Sequence, residues 1–365
     1  MGNKSFIPVS ASDLPVETII SLMPDYSVME HTLYFMERQE RPLSLLQTAF
    51  LESCDQKSNF SIKQAQEKFG MWGTEFASAL GLLGYVAYKT PSTLTNSLSN
   101  LSVLVISPHM DDGFFSLAGV ILAFSRKAHF FILDLFGDDP WSAFHERYWP
   151  ERQQLIRIRS QEEFFSAWLC DCQVQILGHP SAPHRGHRIW NEPLDPLLDS
   201  TLLRQLIDDI ENVLMQNTWD LIFWPLGIGG HVDHRLVRQL AFQFVQRNHL
   251  SSRRFVYYED LPYAASPAHW KTWPSPELLV SLKPAYIPIS SQLAKKRQLL
   301  DVYRSQLLPN EPNSICKYAN SAEMLTGIPE IDKTHLQRTA SSEESYERVW
   351  CTQESEVICS HLLSK

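Results

Sequence analysis

The sequence predicts a doubly wound α/β domain with a mostly parallel, Rossmann-like sheet, preceded by a small helical, winged-helix-like module. Three observations carry this prediction. From Leu101 onward, nearly continuous apolar strand-like runs alternate with helical runs, the pattern of a parallel sheet covered on both faces. Residues 1–98 differ in texture, with short helical runs closed by glycines. Between them, residues 90–100 form a Ser/Thr/Asn stretch containing a proline, the composition of a linker. The expected units are therefore 1–98, a recognition module for a substrate or peptide, and 99–365, the larger domain.

In the module, Leu43, Leu46, Ala49, Phe50 and Leu51 fall at helical spacing within 41–54. Ser61 reads as the N-cap of a second helix over 62–69, which Gly70 would stop. A third helical run, 74–83, ends at Gly84 and leads into a short strand at 85–88. In the larger domain, strands are expected at 101–107, 129–136, 174–178, 220–226 and 254–259, and helices at 114–127, 151–169, 200–217 and 234–249. Ligands of such a sheet bind beyond the carboxyl ends of its strands, where strand order switches.

Composition narrows the function. A net charge of −9 with no basic cluster argues against nucleic-acid binding, which gathers lysines and arginines on one face. Lys63, Lys68 and Lys89 in the module are balanced by Glu67 and Glu75, so its winged-helix texture does not imply DNA. No apolar stretch reaches the roughly 18 residues of a membrane span, and the first eight residues lack a signal-peptide core. A cytoplasmic location is expected. Gly2 suggests a myristoylation signal, but Phe6 stands where Ser or Thr belongs. The six cysteines show no repeated spacing and read as reduced structural thiols.

The chemistry is concentrated in two segments. Ser107-Pro108-His109-Met110-Asp111-Asp112 follows directly on the first apolar strand, where charged side chains are costly unless paired or metal-bound. It also occupies the turn in which a dinucleotide-binding fold would carry glycines, which excludes nicotinamide and flavin chemistry; no Walker-type loop occurs either. Gly227-Ile228-Gly229-Gly230-His231-Val232-Asp233-His234 follows a later strand. One parallel sheet would bring both segments to the same edge. Two imidazoles and a carboxylate form a zinc set that leaves a fourth position for water.

Pro-His-x-Asp-Asp together with His-x-Asp-His resembles the PIG-L/LmbE family of zinc-dependent N-acyl deacetylases, over roughly residues 101–351. Arg159-Ser160-Gln161-Glu162 is similar to that family's Arg-x-x-Glu, while 257–263, 296–307 and 347–350 resemble one bacterial branch. The resemblance implies Zn2+ bound by His109, Asp112 and His234, with Asp111 as general base. It also implies that His231 polarises the amide oxygen or protonates the leaving amine, with Asp233 holding its ring. Arg159 and Asp260 are expected to face substrate. Gly113 departs from the family, which commonly has Glu there, and removes an acid from behind the ligands.

The implied substrate is an N-acylated amino sugar, glycoconjugate or small natural product. The module resembles the small peptide-recognition domains of the PqqD-like type. A second expectation is thus a peptide-binding tailoring protein that hydrolyses an amide on a precursor peptide or serves as a scaffold. Asp138-Asp139-Pro140-Trp141 reads as a solvated turn first and a second metal site only after it, and Trp141, Trp149 and Trp190 as packing residues before platforms for sugar stacking; His179, His184, Arg185 and His187 form a polar loop at an edge where loops shape specificity, with no roles assigned to them.

Overall fold

The computed structural model describes residues 14–15, 17–24, 26–30, 32–35, 38–55, 58–82, 85–90, 101–143, 152–246, 254–270, 282–320, 344–352 and 355–356. The expected boundary at 98/99 and Trp149 lie outside them.

The N-terminal module is mixed rather than helical. It runs β1 (Ile19–Leu22), β2 (Tyr26–Met29), β3 (Thr32–Phe35), β4 (Arg38–Pro42), α1 (Leu45–Ser53), α2 (Ile62–Leu82) and β5 (Val86–Lys89). β1 pairs antiparallel with β5, and β2, β3 and β4 form a three-stranded antiparallel sheet. Strands of four or five residues are too short for alternation to declare them, and β1 finds its partner more than sixty residues downstream, so of the five strands the sequence showed only the last, expected at 85–88 and found at Val86–Lys89. The helices follow expectation: Ser44 with Gln47, and Ser61 with Gln64, form reciprocal caps. Gly70, at φ 64° and ψ −156°, divides α2 into the two predicted helices. The module's core is Ile20, Leu51, Ile62, Leu80 and a cluster of rings around Phe50.

The larger domain comprises β6 (Leu101–Ser107), α3 (Asp112–Phe124), β7 (Ala128–Asp134), α4 (Arg152–Cys170), β8 (Gln173–Ile176), α5 (Pro196–Gln216), β9 (Leu221–Pro225), α6 (Val232–Gln246), β10 (Phe255–Tyr258), β11 (Leu282–Pro288), α7 (Leu293–Leu300), α8 (Glu311–Tyr318) and β12 (Tyr346–Thr352). The sheet order is β11-β12-β10-β9-β6-β7-β8. β8, β7, β6, β9 and β10 are parallel, while β12 and β11 close one side antiparallel. The two antiparallel strands are additions to the expected set. β11 carries Pro284 and Pro288, tolerable because it is the edge, and these prolines hide it from a pattern search. From β6 the chain winds outward through β7 and β8, then returns to β9 on β6's other side. The carboxyl ends of β6 and β9 therefore define the switch point, and the two motif segments begin there.

Several late motif residues hold the fold together. Glu347 on β12 accepts the Gly119 and Val120 amides of α3 (2.8 and 2.7 Å) and pairs with Lys296 of α7 (2.6 Å). Glu259 receives Arg348, Tyr318 (2.7 Å) and Trp350 (2.8 Å). The module is fastened to the larger domain through Lys89, which bonds the Trp168 carbonyl and Asp171 (2.6 Å each), and through Arg304, which lies 4.9 Å from the Tyr26 ring centre and bonds its hydroxyl. Among the described residues no helix is long and apolar enough to cross a membrane.

Both partners of the Lys296–Glu347 pair are buried, so removing one strands a charge. Lys296→Met is expected to destabilise the protein by about 3 kcal/mol, read as a lower midpoint in urea unfolding. An unchanged midpoint would show that the pair is dispensable.

Candidate active site

Three ligand-type side chains converge at the switch point. His109 Nδ1 lies 3.1 Å from Asp112 Oδ2, and His234 Nε2 lies 3.2 Å from the same oxygen. Metal ligands at about 2.0–2.1 Å in a tetrahedron are separated by roughly 3.3 Å, so these spacings match tetrahedral edges. His234 Nε2 is buried and has no hydrogen-bond partner, while its Nδ1 donates to Asp260 Oδ1 at 2.6 Å. His109 Nε2 donates to Asp233 Oδ2 at 3.0 Å. Each ring thus turns one nitrogen inward and rests the other on a carboxylate, the arrangement that fixes imidazole ligands. The set fits a divalent cation. A second group, His109, His231 and Asp233, also brings ligand atoms within 4.8 Å of one another.

The local structure explains the convergence. Asp112 opens α3 and Asp233 lies in the first turn of α6, where helix N-termini favour negative charge. Gly229 sits at φ 88°, and a Cβ there would stand 2.8 Å from the Tyr263 ring. A side chain at 229 would push Tyr263 away.

Asp111, beside the ligand set, accepts from Arg159 Nη2 at 3.2 Å, while Arg159 Nη1 grips Asp139 at 2.5 Å. Burial, then the charge of Asp112, pushes Asp111 up to about 6 against the pull of Arg159. Burial alone would raise Asp112 too, but His234 and His109 outweigh it and hold that carboxylate well below the usual range. Burial opposes charge on His109 and His234, yet their carboxylate partners raise both, His234 to about 10. The pocket holds protons where a cation would displace them. His231 goes the other way: burial lowers it to about 3, so its ring is neutral.

All eight expected site residues lie at this sheet edge, but three face differently than anticipated. Asp233 is aimed at His109; its carboxylate stands 3.9 Å from His231 Nδ1, beyond hydrogen-bond reach, and only its backbone amide meets that ring, at 3.2 Å. Its carboxylate is also held by the Ala182 amide (3.0 Å) and Arg185 (2.6 Å). Asp260 does not face substrate. It is wholly buried behind His234 and accepts the Ile228 amide at 2.8 Å. Arg159 borders the cavity, but its guanidinium is engaged by Asp111 and Asp139.

The sequence reading overlooked Asp139, Arg185, Trp190 and Tyr263. Asp139 is buried rather than solvated, because Arg159 and the Ser181 hydroxyl claim its carboxylate. The Asp-Asp-Pro-Trp turn is polar whether it faces water or an arginine, so sequence could not separate the two. Glu162 of the Arg-x-x-Glu segment accepts the Ser305 amide at 2.8 Å and fixes the segment that places Gln306 and Leu307 on the cavity wall.

A cavity of about 460 Å³ opens over these groups, lined in part by Asp111, Asp112, Trp141, Trp190, His231 and Tyr263. A larger one, about 710 Å³, lies between module and main domain, lined by Tyr88, Leu122 and Lys295 and by none of the site residues.

Comparison with known proteins agrees with this edge. Residues 104–245 match the family model described as GlcNAc-PI de-N-acetylase, PIG-L. That stretch is similar to the PIG-L family and contains both motif segments. The 2'-N-acetylparomamine deacetylase of Streptomyces fradiae is 27% identical over 183 residues, which is 47% of this chain and 61% of that protein. The chain thus spans about three-fifths of the curated relative it matches. A solved deacetylase–teicoplanin complex from the teicoplanin biosynthesis pathway is 17% identical, with a TM-score of 0.52 over 68% of this chain and 97% of that one, a likeness of fold.

Because Asp260 holds His234 rather than substrate, Asp260→Ala is expected to weaken binding of a divalent cation at this site 10- to 100-fold, measured with zinc as the probe by competition with a chromophoric chelator. Unchanged zinc affinity with a raised KM would instead make Asp260 a substrate contact.

Proposed function

We propose that this protein is a zinc-dependent hydrolase that removes an N-acyl group, an acetyl above all, from an amino sugar, glycoconjugate or small natural product. The observation that carries the reading is the His109–Asp112–His234 set at tetrahedral spacing, with the Asp111 carboxylate beside it on the floor of an open cavity. The family of residues 104–245 and the acetamido-sugar deacetylase among its relatives support it.

Zinc bound by His109, Asp112 and His234 would lower the pKa of a water molecule and polarise the amide carbonyl. The remaining chemistry falls to the protein. Asp111, with its pKa near 6 and its orientation set by Arg159, takes the proton of the attacking water as general base. It then returns that proton to the departing amine. His231 accepts the Asp233 amide at Nδ1, which places its own proton on Nε2. A neutral ring with an Nε2–H is a hydrogen-bond donor, so His231 stabilises the oxyanion and is not the proton source for the amine. Asp233 keeps His109 oriented, and His109 in turn, with His231 and Arg185, keeps Asp233 charged.

The alternative, a peptide-tailoring role for the module, draws no support from the cavity, whose lining falls between His109 and Glu311. Removal of residues 1–98 would test it: loss of activity on a peptide alone, with small amides still cleaved, would favour peptide recognition.

Asp111→Asn is expected to lower kcat by about 10²- to 10⁴-fold with bound zinc retained, followed by acetate release and metal analysis. Chelation should abolish activity and added zinc should restore it. Undiminished turnover by Asp111→Asn would remove Asp111 from the base role.

A further inference from the structure

Trp190 borders the catalytic cavity, yet 39% of its surface is exposed. Its indole is not loose. It stacks on Tyr263 (centroids 5.6 Å apart, planes 17° apart) and on His231 (6.1 Å, 22°), and the His269 ring meets its edge at 6.2 Å. Tyr263 is in turn seated on the bare backbone of Gly229, and the His269 ring bonds the Tyr263 carbonyl at 2.9 Å. The Trp190 carbonyl accepts the Val232 amide at 2.7 Å, which ties this loop to the residue after His231. An aromatic ring braced in this way, with open surface beside a reaction site, is built to receive something flat.

Position and surroundings say what. A ring bonded directly to an amide nitrogen lies only about 4–5 Å from the carbonyl oxygen by ordinary bond lengths. With the amide oxygen at His231, that ring falls within reach of the indole. A second indole on the cavity wall, Trp141, is 55% exposed. The lining also carries polar groups, Ser181, Gln306, Asp139 and Glu311, beside the apolar Phe115, Pro183, Pro262 and Leu307. A molecule with an apolar C–H face and hydroxyl or ammonium groups around its edge matches both. A planar aromatic amide would match only the first.

Resting on the deacetylase reading, we propose that Trp190 is the specificity-determining residue of this site: the pyranose ring that carries the acylamino group stacks on the Trp190 indole. The enzyme accordingly discriminates ring-borne from acyclic acetamides through this one side chain.

The test compares the methyl glycoside of N-acetylglucosamine with N-acetylethanolamine as probes for the zinc-loaded full chain. The readout is the ratio of their kcat/KM values by acetate release. In Trp190→Leu, which keeps bulk but no ring, the ratio should fall about tenfold, mostly through KM of the glycoside, the order of one lost aromatic contact. Trp190→Phe, which keeps a ring face, should retain most of it. A ratio unchanged in Trp190→Leu would mean that the indole acts only by holding His231, and a ratio that falls equally in Trp190→Phe would mean that no ring face is used; either overturns the proposal. Saturation-transfer NMR on the glycoside reads binding without turnover. Transfer to its ring C–H protons in the wild type, lost in Trp190→Leu, supports the platform even if neither probe is cleaved, a result that would instead sink the deacetylase reading. Absence of transfer in the wild type overturns the platform.

Discussion

One oxygen, Asp112 Oδ2, faces both His109 and His234, and much of the surrounding structure follows from making that contact tolerable. Two imidazoles and a carboxylate out of water are stable only if every outward-facing polar atom has a partner. Asp233 and Asp260 meet that need for the two rings, and their own charge must then be answered. For Asp233 the answer is Arg185 with the Ala182 amide; for Asp260 it is the Ile228 amide. These partners sit on segments after β8 and β9. The ligand set therefore dictates the course of loops that never touch it.

A second arginine does the same on the other side. Arg159 reaches from α4 to hold Asp111 and Asp139 together, two carboxylates that would otherwise repel in a cavity of low dielectric. Both arginines are buried at the side chain and bridge a pair of acids, Arg185 taking Asp199 as well. Such bridges orient the acids before any substrate arrives, so little reorganisation is required at the moment of reaction. On the proposed reading the division of labour follows from the partners: Asp111, beside Arg159 on the cavity floor, would transfer the proton, whereas Asp112, held ionised between His109 and His234, would serve as a ligand.

The parallel half of the fold was legible because buried strands read as apolar runs and the helices between them end at recognisable signals. The antiparallel additions were not. β11 is interrupted by prolines, and β12 buries Glu347 and Arg348, which look like surface residues until Lys296 and Glu259 are seen beside them. In the site, the residues that could hold a metal were legible from type and spacing, since histidines and paired acids at strand ends have few other uses. Those that act through another residue were not: Asp260, Asp139 and Arg185 owe their roles to partners 26, 20 and 48 positions away. Trp190 packs on Tyr263 and His231 as expected, and its place on the cavity wall came only from the fold.

Gly113 shows how a departure from a family pattern depends on its surroundings. Its amide bonds the Ser107 hydroxyl at 3.1 Å, and a Cβ there would stand 3.5 Å from that oxygen and from Ile132, ordinary contacts that leave room for a side chain. The strand behind it differs, however. Asp134, paired in register with Ser107, is fully buried with neither carboxylate oxygen hydrogen-bonded, and Glu163 is buried nearby with Tyr303 on one oxygen. Burial pushes both acids up, joined at Asp134 by the charge of Glu163 and at Glu163 by the charges of Asp111 and Asp112, and brings Glu163 to about 8, so this region already carries carboxyls in their neutral form. A glutamate at position 113 would add a third acid to this layer. Glycine at 113 is thus consistent with an acidic layer supplied from β7 and α4 rather than from the turn itself.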